Sequence, residues 1–429
     1  MTDARLPGSA PARRWSWTDP ALRSAVIQVS LAILLIWMAW SFFANAQANL
    51  ARQGIASGFG FLDNSAGFGI TQTLIPYSES MSYGRAFLVG LLNTLLVAVL
   101  GVILATIIGF LVGVARLSEN VVIRALASAY VEVTRNLPPL FQILFWYLAV
   151  LSTMPNPRQG WAFGLQPLLN ALSNGASALG MTSLADGLKA LAGDVSTPGV
   201  FLSNRGLVVP RPVFEPDFNI IFGVFIAGAV VAWLVARWAR VRRERTGQPF
   251  PTFWVGLALV VLPALVAGFV LGWPMTFEKP ELRGFNFAGG VRVIPEFVAL
   301  LVALSIYTAG FIAEIVRAGI LAVSKGQTEA AKSLGMRSGP TLRLIIIPQA
   351  MRVIVPPLTS QYLNLTKNST LGVAVGYPDL FAVFAGTTLN QTGQAIEIIA
   401  MTMAVYLTIS ILTSVLMSLY NKRVALVER

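Results

Sequence analysis

Eight long runs of apolar residues, nearly free of charge, limit how this chain can fold. A membrane hydrocarbon core of about 30 Å is crossed by about 20 residues of α-helix. The runs cover about residues 25–43, the stretch between Arg85 and Arg116, and about 136–153, 219–236, 253–273, 297–313, 353–376 and 398–420. They predict an all-α integral membrane protein with about eight transmembrane helices.

The amino-acid composition supports a membrane protein and argues against several classes of enzyme. Of 429 residues, 55% are hydrophobic and 12% are charged, about half the charged share of soluble domains. Such a surface would be adhesive in water, whereas lipid is its natural partner. The chain has no cysteine and no histidine, so thiolate chemistry, the commonest metal ligand and the usual general base are missing. No catalytic, metal-binding or cofactor-binding residue is therefore predicted on this chain.

The net charge of +12 is compatible with nucleic-acid binding, but the positions of the basic residues favour another explanation. With both termini in the cytoplasm, 20 of the 31 Lys and Arg residues fall in segments predicted to be cytoplasmic and nine in segments predicted to be periplasmic. Positive residues accumulate on the cytoplasmic side of membrane proteins. The run RWARVRRER, Arg237–Arg245, lies in one of these loops, where it faces the anionic inner leaflet. No nucleic-acid partner is expected.

The stretch EAAKSLGMRSGPTLRLIIIP is a charged, glycine-interrupted segment between the sixth and seventh predicted spans. Thr328 is placed to cap a short helix, and the helix dipole favours Glu329 in its first turn. Ala330 and Ala331 give a small, smooth surface that fits a groove on another protein. Gly335 is predicted to end the helix in a left-handed conformation. Without its spacing, the stretch is also compatible with an ordinary cytoplasmic loop.

The spacing of this stretch resembles the EAA loop of ABC importer permeases, in which EAA is followed by three residues, Gly, nine residues, Ile, one residue, Leu and Pro. The matching positions are Glu329, Ala330, Ala331, Gly335, Ile345 and Pro348. Only Ile347 departs from the pattern, because leucine is usual there. The resemblance implies a coupling loop at residues 325–348, which docks on a separate ATPase subunit and transmits its closing motion. Pro348 is expected to break regular structure where the chain re-enters the bilayer.

Further segments resemble the polar amino-acid permeases, the binding-protein-dependent importers of the histidine and glutamine type. They are GRAFLVGLLNTLLVAV at the start of the core, YVEVTRNLPPLFQILFWY at 130–147, SIYTAGFIAEIVRAGI at 305–320 and PPLTSQYLNLTKNSTLG at 356–372. The resemblance covers roughly residues 80–155 and 290–425. Size, N-terminal anchor and inserted hairpin are most similar to the larger permease of general L-amino-acid importers, which serve glutamate, glutamine, aspartate and asparagine.

The resemblance implies a permease subunit, not an enzyme, in an ATP-driven importer of L-amino acids in the bacterial inner membrane. Five of the helices would form a type I importer core. The implied partners are a second permease in a heterodimer, two copies of a cytoplasmic ABC ATPase that bind ATP and Mg, and a periplasmic amino-acid-binding protein. No Gly-Lys dipeptide occurs in the chain, so it lacks the phosphate-binding P-loop motif and ATP must bind to another subunit.

Two other classes of membrane protein fit the sequence less well. An ion-coupled secondary transporter of small polar solutes would also be apolar, but such proteins often contain inverted repeats, and no convincing repeat is found in this sequence. A membrane-bound enzyme or sensor would need a large soluble domain or a catalytic cluster, and the sequence suggests neither. Copurification of an ATPase subunit would separate an ABC permease from a secondary transporter.

The predicted organisation has six parts. They are a cytoplasmic N-terminal segment (1–24), an extra transmembrane helix (25–45), a periplasmic segment (46–86), the first part of the permease core (87–153), an insertion with a periplasmic lobe and a transmembrane hairpin (154–290), and the second part of the core (291–425). The first helix lacks a clear cleavage site, so a retained anchor is predicted rather than a signal peptide. The lobe is predicted to consist of short helices and loops, which either contact the binding protein or only cover the permease surface.

Charged residues inside apolar spans indicate a pathway, because lipid makes them costly. Lys367 lies well inside the seventh predicted span, and it belongs to the polar sequence TKNST. Lys367, Asn368, Ser369 and Thr370 are therefore candidates for the substrate pathway. The alternative is a lysine that pairs with a buried acid or with carbonyl groups and holds helices together.

Two other polar pairs near the spans have simpler explanations. Arg135 and Asn136 directly precede Pro138 and Pro139, and the double proline resets the start of the next helix. Glu314 and Arg317 are three residues apart, which is the spacing of an intrahelical ion pair.

Overall fold

In a computed structural model the chain is described over residues 20–52, 54, 58–159, 161–162, 166–192, 200–278, 280–283 and 286–424. Most of the predicted N-terminal segment, residues 1–19, and parts of the predicted lobe lie outside these ranges. The helices are α1 (Pro20–Arg52), α2 (Tyr83–Ala115), α3 (Val121–Asn136), α4 (Pro139–Leu144), α5 (Gln166–Ala178), α6 (Thr182–Ala192), α7 (Phe218–Thr246), α8 (Thr252–Val270), α9 (Pro295–Leu321), α10 (Lys325–Ser333), α11 (Ser338–Thr341), α12 (Ile347–Asn368), α13 (Leu389–Thr392) and α14 (Ala395–Val424).

Short segments of other helical types extend several of these helices. The π-helical segments are Phe145–Leu151, Leu342–Ile346 and Phe381–Thr388, and the 3-10 segments are Phe59–Asp63, Pro157–Gln159 and Ser369–Val375. Each π segment adjoins an α-helix without a break: Phe145–Leu151 follows α4, Leu342–Ile346 precedes α12, and Phe381–Thr388 precedes α13.

Seven helical segments of the described chain are long and apolar enough to cross a membrane. They correspond to seven of the eight predicted spans. The remaining one, the third in chain order, is a shorter apolar helix, Pro139–Leu151. The double proline explains the difference, because a residue before proline is pushed out of the helical region. Leu137 is extended, with φ −96° and ψ 131°, and it separates α3 from the helix that follows.

The close packing of α2 against α9 forms the centre of the core. Along α9 the side chains of Leu300, Leu304, Ile312 and Val316 are completely buried. A Cβ atom added at Gly109 would lie 2.6 Å from the Cβ of Ile312, and one added at Gly113 would lie 2.8 Å from the carbonyl oxygen of Ala313. Small residues let two helix backbones approach this closely, which is how helices associate in lipid.

Replacing Gly113 by leucine is expected to separate α2 from α9 and to lower the yield of folded protein severalfold. The added side chain has no space, and overpacking of this kind costs about 1–3 kcal/mol. Gly223→Leu is the matched control, because Gly223 lies in α7 with no atom within 4 Å of its Cβ position. The measurement is the yield and thermal unfolding of each variant in mild detergent. Equal behaviour of the two variants would contradict the packing argument.

The seventh predicted span is longer than expected and passes through Pro348 without a break. Ser338–Val375 is one apolar helical segment of 38 residues, so the predicted break at Pro348 is wrong. The π-helical turn Leu342–Ile346 precedes α12 and shifts its hydrogen-bond ladder. Pro348 is consequently the second residue of a new α segment, where no backbone N–H is needed.

Three outer helices expose apolar side chains around most of their surface. They are α1, which corresponds to the predicted extra helix, and the hairpin of α7 and α8. Trp40 in α1 is 70% exposed and Phe253 in α8 is 71% exposed. The hairpin is tight, since a Cβ at Gly228 would lie 2.5 Å from the carbonyl oxygen of Leu259. Such surfaces are suited to lipid.

The predicted lobe, residues 154–218, and the segment that precedes α9 contain strands as well as short helices. This corrects the expectation that the lobe consists of short helices and loops. The strands are β1 (Trp161–Ala162), β2 (Phe201–Ser203), β3 (Gly206–Val209), β4 (Arg211–Phe214), β5 (Met275–Glu278), β6 (Glu281–Arg283), β7 (Asn286–Ala288) and β8 (Val291–Val293). They form an antiparallel sheet in the order β1-β2-β3-β8 and the pairs β4-β5 and β6-β7.

Pairing between distant strands explains why the sequence did not indicate this sheet. β3 pairs with β8 in the register Leu207↔Val293, across the whole hairpin of α7 and α8. A ladder between residues so far apart leaves no local periodic signal in strands this short. β8 leads directly into α9, so the sheet joins the insertion to the core.

Candidate functional site

The EAA segment begins with the short helix α10 and a sharp turn. Ser324 caps α10, with its Oγ accepting a hydrogen bond from the amide of Gly326, so the predicted cap at Thr328 is wrong. Glu329 consequently lies in the middle of the helix and not in its first turn. Gly335 has a φ of +71°, which confirms the predicted left-handed end of the helix.

One face of α10 packs on the protein and the other is exposed. Ala331 is only 1% exposed, so it fixes α10 to the rest of the chain. Glu329 and Ala330 are exposed, and Leu334 is 81% exposed. Only one of the two predicted alanines therefore contributes to the outer surface, and Leu334 adds an exposed apolar side chain that the sequence argument missed.

The remaining residues of the EAA pattern lie on the way into α12. Ile345 is half-buried within the π-helical turn, and Pro348 is exposed in the first turn of α12. Gln349 of α12 donates a hydrogen bond from Nε2 to Oε1 of Gln327 in α10, at 3.3 Å. The exposed helix α10 is thus joined directly to the start of α12.

A second candidate site is a cavity of about 560 Å³ between the end of α12 and α14. Its lining is largely apolar, with side chains such as Phe381 and Met403. Four polar residues also line it, namely Lys367, Thr370, Thr402 and Tyr406. The hydroxyl groups of the last three are hydrogen-bonded within the protein. A mostly apolar cavity of this size with a few polar groups is typical of small-molecule sites.

Two of the four predicted pathway residues line this cavity. Lys367 is exposed, and Thr370 beside it donates its Oγ1 proton to the carbonyl of Lys367 at 2.9 Å. Ser369 is fully buried, donates to the carbonyl of Thr366 at 2.8 Å and is not part of the lining. Asn368 is half-buried and does not belong to the lining. Within the described ranges, no ion pair involving Lys367 is found.

Behind the cavity, a tyrosine connects its wall to a buried acid. Tyr406 donates a hydrogen bond from its hydroxyl to Oδ2 of Asp379, at 3.3 Å. Asp379 is completely buried and lies between the last two candidate spans. Burial raises the pKa of Asp379 to about 7, although the amide of Ala382 also donates to its carboxylate, at 2.8 Å.

The loop that carries Asp379 is held on α2 by buried hydrogen bonds. Asn93 donates from Nδ2 to the carbonyl of Pro378 at 2.8 Å, and Tyr377 donates its hydroxyl proton to the carbonyl of Asn93 at 3.0 Å. The amide of Leu380 donates to Oγ1 of Thr94 at 3.0 Å. These bonds fix the position of Asp379 and, through it, that of Tyr406.

Sequence reasoning missed Tyr406 and Asp379, and only one of them carried a usable signal. Asp379 is the only Asp, Glu, Lys or Arg between Lys367 and Glu397, and a lone acid in such a stretch indicates a specific role. Tyr406 is one aromatic residue inside the apolar run of the last span. Nothing in its spacing distinguishes it from a lipid-facing side chain.

A multi-span helical chain that presents a short exposed helix and a mostly apolar cavity with one lysine has the features of a transport component. Comparison with known families agrees: residues 101–426 match the family described as binding-protein-dependent transport system inner membrane component. The chain belongs to this family. It is thus one component of a transport system in the inner membrane, and not an enzyme.

Three relatives extend over nearly the whole chain. It is 48% identical over 425 residues to the general L-amino acid transport system permease protein AapQ of Rhizobium johnstonii, covering 99% of this chain and 98% of the relative. It is 46% identical to the putative amino-acid ABC transporter permease protein YhdX of Escherichia coli, covering 96% and 97%. It is 40% identical to the glutamate/glutamine/aspartate/asparagine transport system permease protein BztB of Rhodobacter capsulatus, covering 96% of each. The predicted resemblance to amino-acid permeases is confirmed.

Proposed function

We propose that this chain is the transmembrane permease subunit of an ATP-driven, binding-protein-dependent importer of L-amino acids, and that α10 docks on a separate ATPase subunit. The observation that carries the proposal is the geometry of α10. Ala331 anchors the helix, while Glu329, Ala330 and the 81% exposed Leu334 face outward. An exposed helix face with an apolar centre and a charge is suited to a groove on a partner.

The cavity between α12 and α14 supplies one group that matches a charge of an amino acid. Lys367 offers a cation for the α-carboxylate, and a charge-assisted hydrogen bond is the strong kind. The hydroxyl of Tyr406 is turned toward the buried Asp379, so this residue contributes to the cavity wall but offers no charge to the substrate. The names of the relatives, which cite general L-amino acids or glutamate, glutamine, aspartate and asparagine, support this substrate class.

The proposed assembly assigns each task to a different chain. A second permease would form a heterodimer with this one, two ATPase subunits would bind ATP and Mg beneath it, and a periplasmic protein would deliver the amino acid. Asn368 and Ser369 would support Lys367 and Thr370 along the pathway without contacting the substrate. This chain itself would bind no cofactor.

The function is tested by purifying the chain from its native membrane in mild detergent and reconstituting the complex in liposomes. We expect an ATPase and a second permease to copurify, and amino-acid uptake to require ATP and a binding protein. Uptake that proceeds with an ion gradient and without ATP would instead identify an ion-coupled secondary transporter.

We also propose that both termini are cytoplasmic, on the basis of the excess of basic residues on one side. Single cysteines at Lys332 and Arg243 should be labelled only from the cytoplasmic side, and a cysteine at Lys189 in α6 only from outside. The natural chain has no cysteine, so each variant reports one position. Labelling of position 332 by an impermeant reagent in intact cells would overturn this topology.

A further inference from the structure

A cluster of four charged side chains joins three helices near the end of α9 that leads into α10. Glu314 of α9 forms ion pairs with Arg116, at the end of α2, and with Arg135, in the last turn of α3, the second at 3.7 Å. It also pairs with Arg317 within α9, at 2.8 Å. The intrahelical pair is the one that the sequence predicts, whereas the two links between helices come from the fold.

The cluster is partly withdrawn from water. The side chain of Arg116 is 12% exposed and that of Glu314 is 29% exposed. Arg135 also stacks over the ring of Phe311, with the guanidinium carbon 5.2 Å from the ring centroid. The carboxylate of Glu314 therefore binds three guanidinium groups. Without this carboxylate, three positive charges would lie close together with no negative charge between them.

Close backbone contacts surround the same part of α9. A Cβ at Gly310 would lie 2.4 Å from Oγ1 of Thr134 in α3, and a Cβ at Gly319 would lie 2.3 Å from Cγ1 of Ile354 in α12. Tyr130 of α3 donates its hydroxyl proton to the carbonyl of Ile306 in α9, at 2.7 Å. The end of α9 is therefore packed against helices on several sides, and only Ala322–Ser324 separate it from α10.

We infer that Glu314 is a positioning residue for energy coupling: its carboxylate ties the end of α9, from which α10 extends, to α2 and α3, so that force applied to α10 moves the three helices together. The inference rests on the proposed function, in which α10 receives that force from an ATPase. Glu314 is not among the residues that line the cavity between α12 and α14. It acts through Arg116 and Arg135, which carry the links between helices, whereas Arg317 pairs with it within α9 and makes no link to another helix.

The test measures amino-acid uptake and ATP hydrolysis together in liposomes that contain the assembled complex and its binding protein. Glu314→Gln is expected to lower the number of amino acids transported per ATP at least tenfold, with ATP hydrolysis retained. Arg116→Gln and Arg135→Gln, which each cut one link between helices, should lower the same ratio severalfold. Arg317→Gln removes an intrahelical partner only and should leave the ratio close to that of the wild type.

Glu132→Gln is the matched control, because Glu132 is an exposed glutamate of α3 outside the cluster. If Arg317→Gln lowered the ratio as much as Arg116→Gln, the cluster would be a source of stability alone, and the inference would be overturned. Wild-type numbers of amino acids transported per ATP in both Arg116→Gln and Arg135→Gln would also overturn it. These two variants test the inference even if Glu314→Gln fails to assemble. A wild-type complex without ATP-dependent uptake would instead refute the proposed function.

Discussion

Replacing Glu329 by lysine is expected to abolish ATP-driven uptake while the chain still accumulates in the membrane. Glu329 is exposed in the middle of α10, and substitutions at such positions usually change folding stability by less than about 0.5 kcal/mol. Loss of a charge buried in an interface costs about 2–5 kcal/mol of binding, so docking should weaken by about thirtyfold or more. The measurement is uptake and copurified ATPase per molecule of permease.

The control for this substitution is Glu119→Lys, which makes the same change of charge at an exposed residue between α2 and α3. It should leave both uptake and ATPase binding close to normal. Normal coupling in Glu329→Lys would remove α10 from the docking surface.

The turn that follows α10 allows a second, independent test of the same surface. Gly335→Val forces a β-branched residue into a φ of +71°, which costs about 1–2 kcal/mol for an L-residue. No atom lies within 4 Å of the Cβ position at Gly335 or at Gly339, and Gly339 has no positive φ. Gly339→Val is therefore the matched control: its side chain has as much free space as that of Gly335→Val, but it causes no backbone strain. Only Gly335→Val should impair uptake.

Replacing Lys367 by methionine is expected to lower amino-acid uptake strongly without lowering the amount of assembled complex. Lys367 supplies the cation of the cavity between α12 and α14. A hydrogen bond to a charged group contributes about 1.5–3 kcal/mol, so half-maximal uptake should need about ten to a hundred times more substrate. The loss should be larger for glutamate than for glutamine, because glutamate carries an additional negative charge.

Two further variants separate a substrate contact from a structural lysine. Lys367→Arg keeps the charge and should retain much of the uptake, while Lys422→Met makes the same change as Lys367→Met at an exposed position of α14 and should have no effect. A lysine that only holds helices together would reduce assembly instead. Unchanged uptake per complex for both substrates would exclude a role of Lys367 in the pathway.

The EAA segment and the cavity differ in how far the sequence could predict them. The spacing from Glu329 to Pro348 and the turn at Gly335 are properties of one continuous stretch, so the sequence located the helix and its end correctly. The cap at Ser324 was missed because Thr328 is also a residue that caps helices, and only the fold shows where α9 stops. The cavity was half-predicted, since Lys367 was identified but Tyr406 was not.

The sequence by itself determined those features of the protein that a lipid environment requires of consecutive residues. A membrane requires long apolar helices, and it makes isolated charges such as Lys367 conspicuous. The class of protein, the approximate number of spans and the position of the EAA segment therefore follow from the order of residues along the chain. Only the tertiary structure decided which distant residues meet. Arg116 and Glu314 are 198 positions apart, and Tyr406 reaches Asp379 only because buried bonds from Asn93 hold that loop on α2. Such contacts depend on how helices pack, and packing leaves no periodic pattern in the residues that it brings together.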